Sequence, residues 1–231
     1  MKFEPPLNAV LGLAQIGMRD SIGGSTDTVR ASGKTFERIV EAGEHLLGII
    51  NDILDVSKID ACKLKVEHLP FALLATIDGV VSFIEGRASA KGLTVSVSLA
   101  QDLPQWVEGD GLRLSQILAN FLSNAIKFTT SGTVTLTIRR DGNNTLFKVS
   151  DTGIGMTPEQ ISRLFQRFEQ ADSSTSRTYG GSGLGLYISM DLAHLMGGDI
   201  SVQSIPGQGS SFILQLSLPA VAAPEHLGGE L

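Results

Sequence analysis

The sequence has 231 residues, of which 42% are hydrophobic and 18% charged, with a net charge of -6. That balance builds a buried core and excludes a disordered chain, while the negative charge excludes a general attraction to phosphate backbones, so no nucleic-acid partner is expected. No window approaches the roughly 20 apolar residues that span a bilayer, residues 1–7 carry no signal-peptide pattern, and the single cysteine, Cys62, can form neither an internal disulfide nor a cysteine metal cluster.

Leu7, Val10, Leu11, Ala14 and Met18 recur at steps of three and four, which predicts a first helix ending near Arg19. The Gly-, Ser- and Thr-rich stretch Asp20 to Gly33 reads as a loop. Beyond it, Ile39, Leu46 and Ile53, with Leu47 and Leu54, repeat every seven residues on a longer second helix. A hairpin this narrow cannot bury so broad an apolar face alone. The expectation is a homodimer through a four-helix bundle, and the plain alternative is packing against the rest of its own chain.

From Leu64 the texture changes to a second domain: a short strand around Val66, a helix from about Phe71 to Ala90, and a half-buried strand through Leu93, Val95, Val97 and Leu99. Asp110 is placed to cap a helix through Leu112, Ile117, Leu118, Phe121 and Ile126. Strands at Val134 to Ile138 and Leu146 to Ser150 flank a turn at residues 141–144. Pro158 opens a helix to Phe168, a polar stretch leads to Gly183, and a helix then runs to Met196. Strands near Ile200 and Phe212 meet across a Pro206, Gly207 and Gly209 turn. The predicted class is α+β: a helical hairpin at 1–63, an α/β sandwich with a mixed sheet at 64–219, and a linker or tail at 220–231 beyond which the natural chain is expected to continue.

Three local patterns carry chemistry. Asn120, Asn124 and Lys127, four and three apart, emerge on one side of an otherwise apolar helix; asparagine oxygens suit magnesium and a lysine suits a phosphate oxygen, though such a trio is by itself often a solvated face. Asp151, Gly153 and Gly155, in DTGIG, follow a strand, so a carboxylate is held at its end beside backbone that can approach a flat ligand. An aspartic protease shares the DTG triplet but needs two facing carboxylates, and this chain has one copy. Gly180 to Leu186, GGSGLGL, opens a helix whose amides can receive phosphates; it is neither the G-x-G-x-x-G fingerprint nor a P-loop, and a purely structural turn is its plain alternative.

The ordered set Asn120-x3-Asn124-x2-Lys127, DTGIG, Phe165-x2-Phe168 and GGSGLGL resembles the ATP-binding domain of histidine kinases, within the superfamily that includes gyrase, Hsp90 and MutL. FLSNAIKFT, LFQRFEQADSS and YGGSGLGLYIS look like its hybrid branch, and the resemblance covers roughly Leu7 to Leu218. It implies Asn120 as a magnesium ligand, Asn124 and Lys127 near the phosphates and Asp151 on adenine. It also implies an ATP-binding role for Phe165 and Phe168 and a lid containing Gly181, Ser182, Gly183, Leu184 and Gly185. ATP and Mg2+ are the implied cofactors, a receiver domain the implied partner and the cytoplasm the implied location, with no membrane contact by this stretch. Hydrolysing members of the superfamily carry a glutamate where this chain has Asn120, so water activation is not favoured and phosphoryl transfer is.

The family's first helix opens on His-Glu-x-x-Thr/Asn-Pro-Leu, and aligning Pro6 and Leu7 with it puts Met1 at the acceptor histidine, Lys2 at the acid and Pro5 at the Thr or Asn. The expectation is therefore a chain without the acceptor motif that does not phosphorylate itself, whether by truncation, alteration or natural degeneracy. His45 falls in the second helix as a packing or surface residue, and His68 and His194 show no metal-ligand spacing to Cys, His or Asp. A dimer-based regulatory module is the rival reading, and a true ATPase the second rival.

Overall fold

The computed structural model describes residues 10, 12–14, 16–17, 26–61, 63–166 and 183–224. Met1, Lys2, Pro5, Pro6, Leu7, Cys62, Phe168, Gly181 and Ser182 lie outside these residues. The chain divides into two compact units, Met1–Asp60 and Ala61–Leu231.

In the first unit, described residues between 10 and 17 are helical, and α1 spans Thr26–Asp60. The helix starts before Gly33, inside the stretch read as a loop. Single glycines cost a helix only about 1 kcal/mol each, less than a long amphipathic face recovers. Ile39, Leu46 and Ile53 are half-buried, whereas Leu47, Ile50 and Leu54 are 60, 41 and 50% exposed.

The second unit runs β1 (Leu69–Ala72), α2 (Leu73–Ala90), β2 (Thr94–Leu99), β3 (Trp106–Gly109), α3 (Gly111–Phe128), β4 (Thr133–Asp141), β5 (Asn144–Asp151), α4 (Pro158–Arg163), α5 (Gly185–Leu195), β6 (Asp199–Ile205) and β7 (Gly209–Ser217). Five strands form a sheet in the order β2-β4-β5-β7-β6, parallel between β2 and β4 and antiparallel elsewhere. One face is apolar: Leu136 and Val149 pair across β4 and β5, and Val149 and Phe212 across β5 and β7. The neighbouring positions Thr135, Ser150 and Ser211 line the other, polar face, the alternation of a sheet covered on one side.

α3 supplies much of the cover. Leu114, Ile117, Leu118, Phe121, Leu122, Ala125 and Ile126 form one buried stripe, and the Phe121 ring lies 5.3 Å from that of Phe212 on β7. Each buried Leu, Ile or Phe among them contributes about 1.5–3 kcal/mol, which holds the helix at a defined height over the sheet. Asp110 caps it as expected: its Oδ1 accepts from Arg113 N at 3.0 Å. At the other end, Lys91 Nζ donates to the Ile126 and Lys127 carbonyls at 2.9 and 3.2 Å, where a cation also favours the helix dipole.

Several expectations need correction. The first strand is at Leu69–Ala72, not around Val66, and it pairs antiparallel with β3, a strand that alternation does not reveal in four residues. β2 is more exposed than half-buried, with Val97 and Leu99 about two-fifths exposed, because it is an edge strand. α4 ends at Arg163 and passes into a turn at 164–166 rather than running to Phe168. Val221, near the start of the tail expected at 220–231, bonds to β3, as does Pro219 just before it: Glu108 N donates to Pro219 O at 2.9 Å and Val221 N to Trp106 O at 3.0 Å. Among the described residues no helix is long and apolar enough to cross a membrane.

Candidate functional site

α3 presents its polar side next to the start of α5. Asn120 Nδ2 donates to Ser189 Oγ at 2.8 Å, and Asn120 Oδ1 accepts from Asn124 Nδ2 at 3.2 Å. Both asparagines are half-buried, and Ser189 is buried. A Cβ on Gly185, the first residue of α5, would lie 2.7 Å from Asn120 Oδ1, so glycine there keeps the amide oxygen uncovered. Leu184, just before it, is buried and anchors the helix start, and Gly183 takes φ +69°. Lys127, one turn beyond Asn124, is half-buried with its ammonium 4.8 Å from the centre of the Phe128 ring; burial lowers its pKa.

The end of α3 meets the DTGIG loop. Ile154 N donates to Phe128 O at 3.3 Å, and a Cβ on Gly153 would run into that same carbonyl. Asp151 closes β5, where its Oδ1 accepts from Gly153 N at 2.8 Å and Ser210 N at 3.3 Å, leaving Oδ2 out of both bonds. Burial raises the Asp151 pKa, and the two backbone bonds oppose that shift. Gly155 takes φ +67°, and a Cβ there would run into the Ile205 carbonyl, a position no side chain fits.

Asn120, Asn124, Lys127, Asp151, Gly153, Gly155 and Gly185 thus form a connected set through Phe128 and the α5 start. Phe165 is half-buried in the turn after α4, and among the described residues no hydrogen bond or ring contact joins it to them. Two contributors escaped the sequence reading. Ser189 was legible in principle, four residues after Gly185 and hence on its face of α5; the Ser210 amide was not, because a backbone donor has no sequence signature. His194 Nε2 lies 3.4 Å from Asp199 Oδ1, an exposed pair away from these residues. Among the described residues no group of three or more His, Cys, Asp or Glu could hold a metal.

The chain is similar to known proteins. Residues 109–220 match the family described as histidine kinase-, DNA gyrase B- and HSP90-like ATPase, and residues 5–62 match the His Kinase A phospho-acceptor domain. The second match corrects the expectation at the first helix: the phosphoacceptor domain is present. The chain is 43% identical over 222 residues to the signal transduction histidine-protein kinase BarA of Escherichia coli and 41% identical over 223 residues to the sensor histidine kinase GacS of Pseudomonas protegens. Each alignment covers 94% of this chain and 24% of the relative, so the chain spans about a quarter of the length of these curated proteins. The crystal structure of full-length ShkA in complex with AMPPNP superposes with a TM-score of 0.72 at 34% identity, covering 96% of this chain and 45% of that one. On this fold the chain thus joins a His Kinase A phospho-acceptor domain to a domain of the histidine kinase-, DNA gyrase B- and HSP90-like ATPase family, the dimerisation and catalytic domains of two-component sensor histidine kinases.

Proposed function

We propose that the second unit binds ATP with magnesium and serves phosphoryl transfer to a histidine nitrogen, from which the group passes to an aspartate of a receiver domain. The carrying observation is the meeting of α3, the DTGIG loop and the α5 start around Asn120 and Phe128. Asp151 Oδ2 accepts from the exocyclic amine of adenine, and the close backbone at Gly153 and Gly155 admits the flat ring. Asn124 and Lys127 lie toward the phosphates, where a lysine ammonium suits a phosphate oxygen. Phe165, Phe168 and the lid residues Gly181 to Gly185 complete the site in this reading.

The residues fit a magnesium ion. Asn120 Oδ1 is a hard oxygen donor, uncovered by Gly185 and oriented by the amide's bond to Ser189, and magnesium commonly takes one or two protein oxygens with phosphates and water supplying the rest. When bound, the ion neutralises charge on the triphosphate. Asn120 stands where a hydrolysing relative would need a carboxylate base, and an amide cannot accept the proton of an attacking water.

The first histidine of the sequence is His45, on α1 within the stretch that matches the phospho-acceptor domain. In this reading the second unit binds nucleotide whether or not the first unit is labelled. Exposed Leu47, Ile50 and Leu54 on α1 support dimerisation through the hairpin, and on that surface a second reading rests, a regulatory module acting through its dimer. Calorimetric titration of magnesium AMPPNP, with a phosphotransfer assay on the chain bearing a restored histidine motif, tests both. Binding plus labelling only in the restored chain supports the kinase core; no binding at millimolar nucleotide leaves the dimer module.

A further inference from the structure

Residues 152–157 have neither helix nor strand of their own, so bonds from elsewhere decide the loop's shape. Phe128 O accepts from Ile154 N, and Gly207 N donates to Ile154 O at 2.7 Å. The third tie is a side chain: Met156 N donates to Ser204 Oγ at 2.8 Å. Ser204 Oγ in turn donates to Gly209 O at 2.9 Å and lies 2.9 Å from Ser210 Oγ. A hydroxyl has one proton and two lone pairs, so with its proton on Gly209 it accepts from both Met156 N and Ser210 Oγ, and every position is filled. The neighbouring Ser210 amide is the one that bonds Asp151 Oδ1. One hydroxyl thus joins the far end of the loop to the hairpin that holds Asp151 at its near end.

We propose that Ser204 is a positioning residue for the nucleotide site, fixing the 151–156 loop through the Met156 amide so that Asp151 and Gly155 face adenine together. The inference rests on the nucleotide-binding reading above. Ser204→Ala removes all three bonds and leaves Met156 N without its acceptor, whereas Ser204→Thr retains a hydroxyl at the same atom. The loop then samples other shapes before each binding event, which weakens binding by roughly five- to tenfold, the equivalent of one hydrogen bond.

The test uses the full chain with two readouts. Amide hydrogen exchange over residues 153–157 without nucleotide probes the clamp, and titration with magnesium AMPPNP probes its consequence. The expected result is faster exchange and a five- to tenfold weaker Kd in Ser204→Ala, with recovery in Ser204→Thr and a smaller effect of the same sign in the milder Ser210→Ala. Unchanged exchange overturns the clamp. Faster exchange with an unchanged Kd overturns the positioning role while leaving the nucleotide reading intact. A parent chain that binds no nucleotide overturns the reading itself, and the positioning role with it.

Discussion

Asp110 is the natural point at which to perturb the helix that carries the site. It is 5% exposed, and its two oxygens serve different segments: Oδ1 accepts from Arg113 N at 3.0 Å, capping α3, and Oδ2 accepts from Glu67 N at 3.1 Å, tying down the chain before β1. Replacing a capping Asp by Ala costs about 0.5–2 kcal/mol, and loss of the second bond to a part-buried amide adds about 1 kcal/mol. Asp110→Ala is therefore expected to lose about 1.5–3 kcal/mol, or about 3–12 °C in Tm for a domain of this size. Asp110→Asn offers one acceptor oxygen where two are used, so it retains one bond and loses about half as much. Urea denaturation at constant pH, with thermal melts alongside, measures both variants. A loss below about 0.5 kcal/mol in Asp110→Ala, or an Asn variant as damaged as the Ala variant, refutes the two-oxygen account.

Other expectations follow from the same geometry. Burial raises the Asp151 pKa, so the folded state holds this proton more tightly than the unfolded one: its contribution is fully present below the ordinary carboxylate pKa and is lost as pH rises through the folded value. Asp151→Asn, which keeps an oxygen for Gly153 N and Ser210 N, should gain Tm relative to the parent at neutral pH, lose that gain in acid, and bind AMPPNP more weakly; a gain that is flat with pH refutes the linkage. Gly185→Ala places a Cβ 2.7 Å from Asn120 Oδ1 and should weaken magnesium-dependent nucleotide binding about tenfold or more by calorimetry, with a Tm change small by comparison. Thr145 is fully buried on the apolar face with its hydroxyl unpaired, so Thr145→Val should stabilise the fold by about 1 kcal/mol in urea; destabilisation would reveal an unseen partner for that hydroxyl.

What the sequence determined by itself was whatever repeats locally. The apolar stripe of α3 and the trio Asn120, Asn124 and Lys127 follow from helical spacing alone, the β4–β5 hairpin from alternation around a turn, and the cap from Asp110 standing before the stripe. The motif order was specific enough to point to the family. Local pattern failed where context outweighs it: glycine did not stop α1 from starting at Thr26, and alternation in β2 did not bury an edge strand. Tertiary structure alone decided which segments meet. Ser189 reaches Asn120 across 69 residues and Ser204 holds Met156 across 48, while β1 finds β3 with the whole of α2 and β2 between them. Such contacts depend on how helices and strands stack, a choice made by the total burial of the unit. No single stretch of the chain carries a period that encodes it.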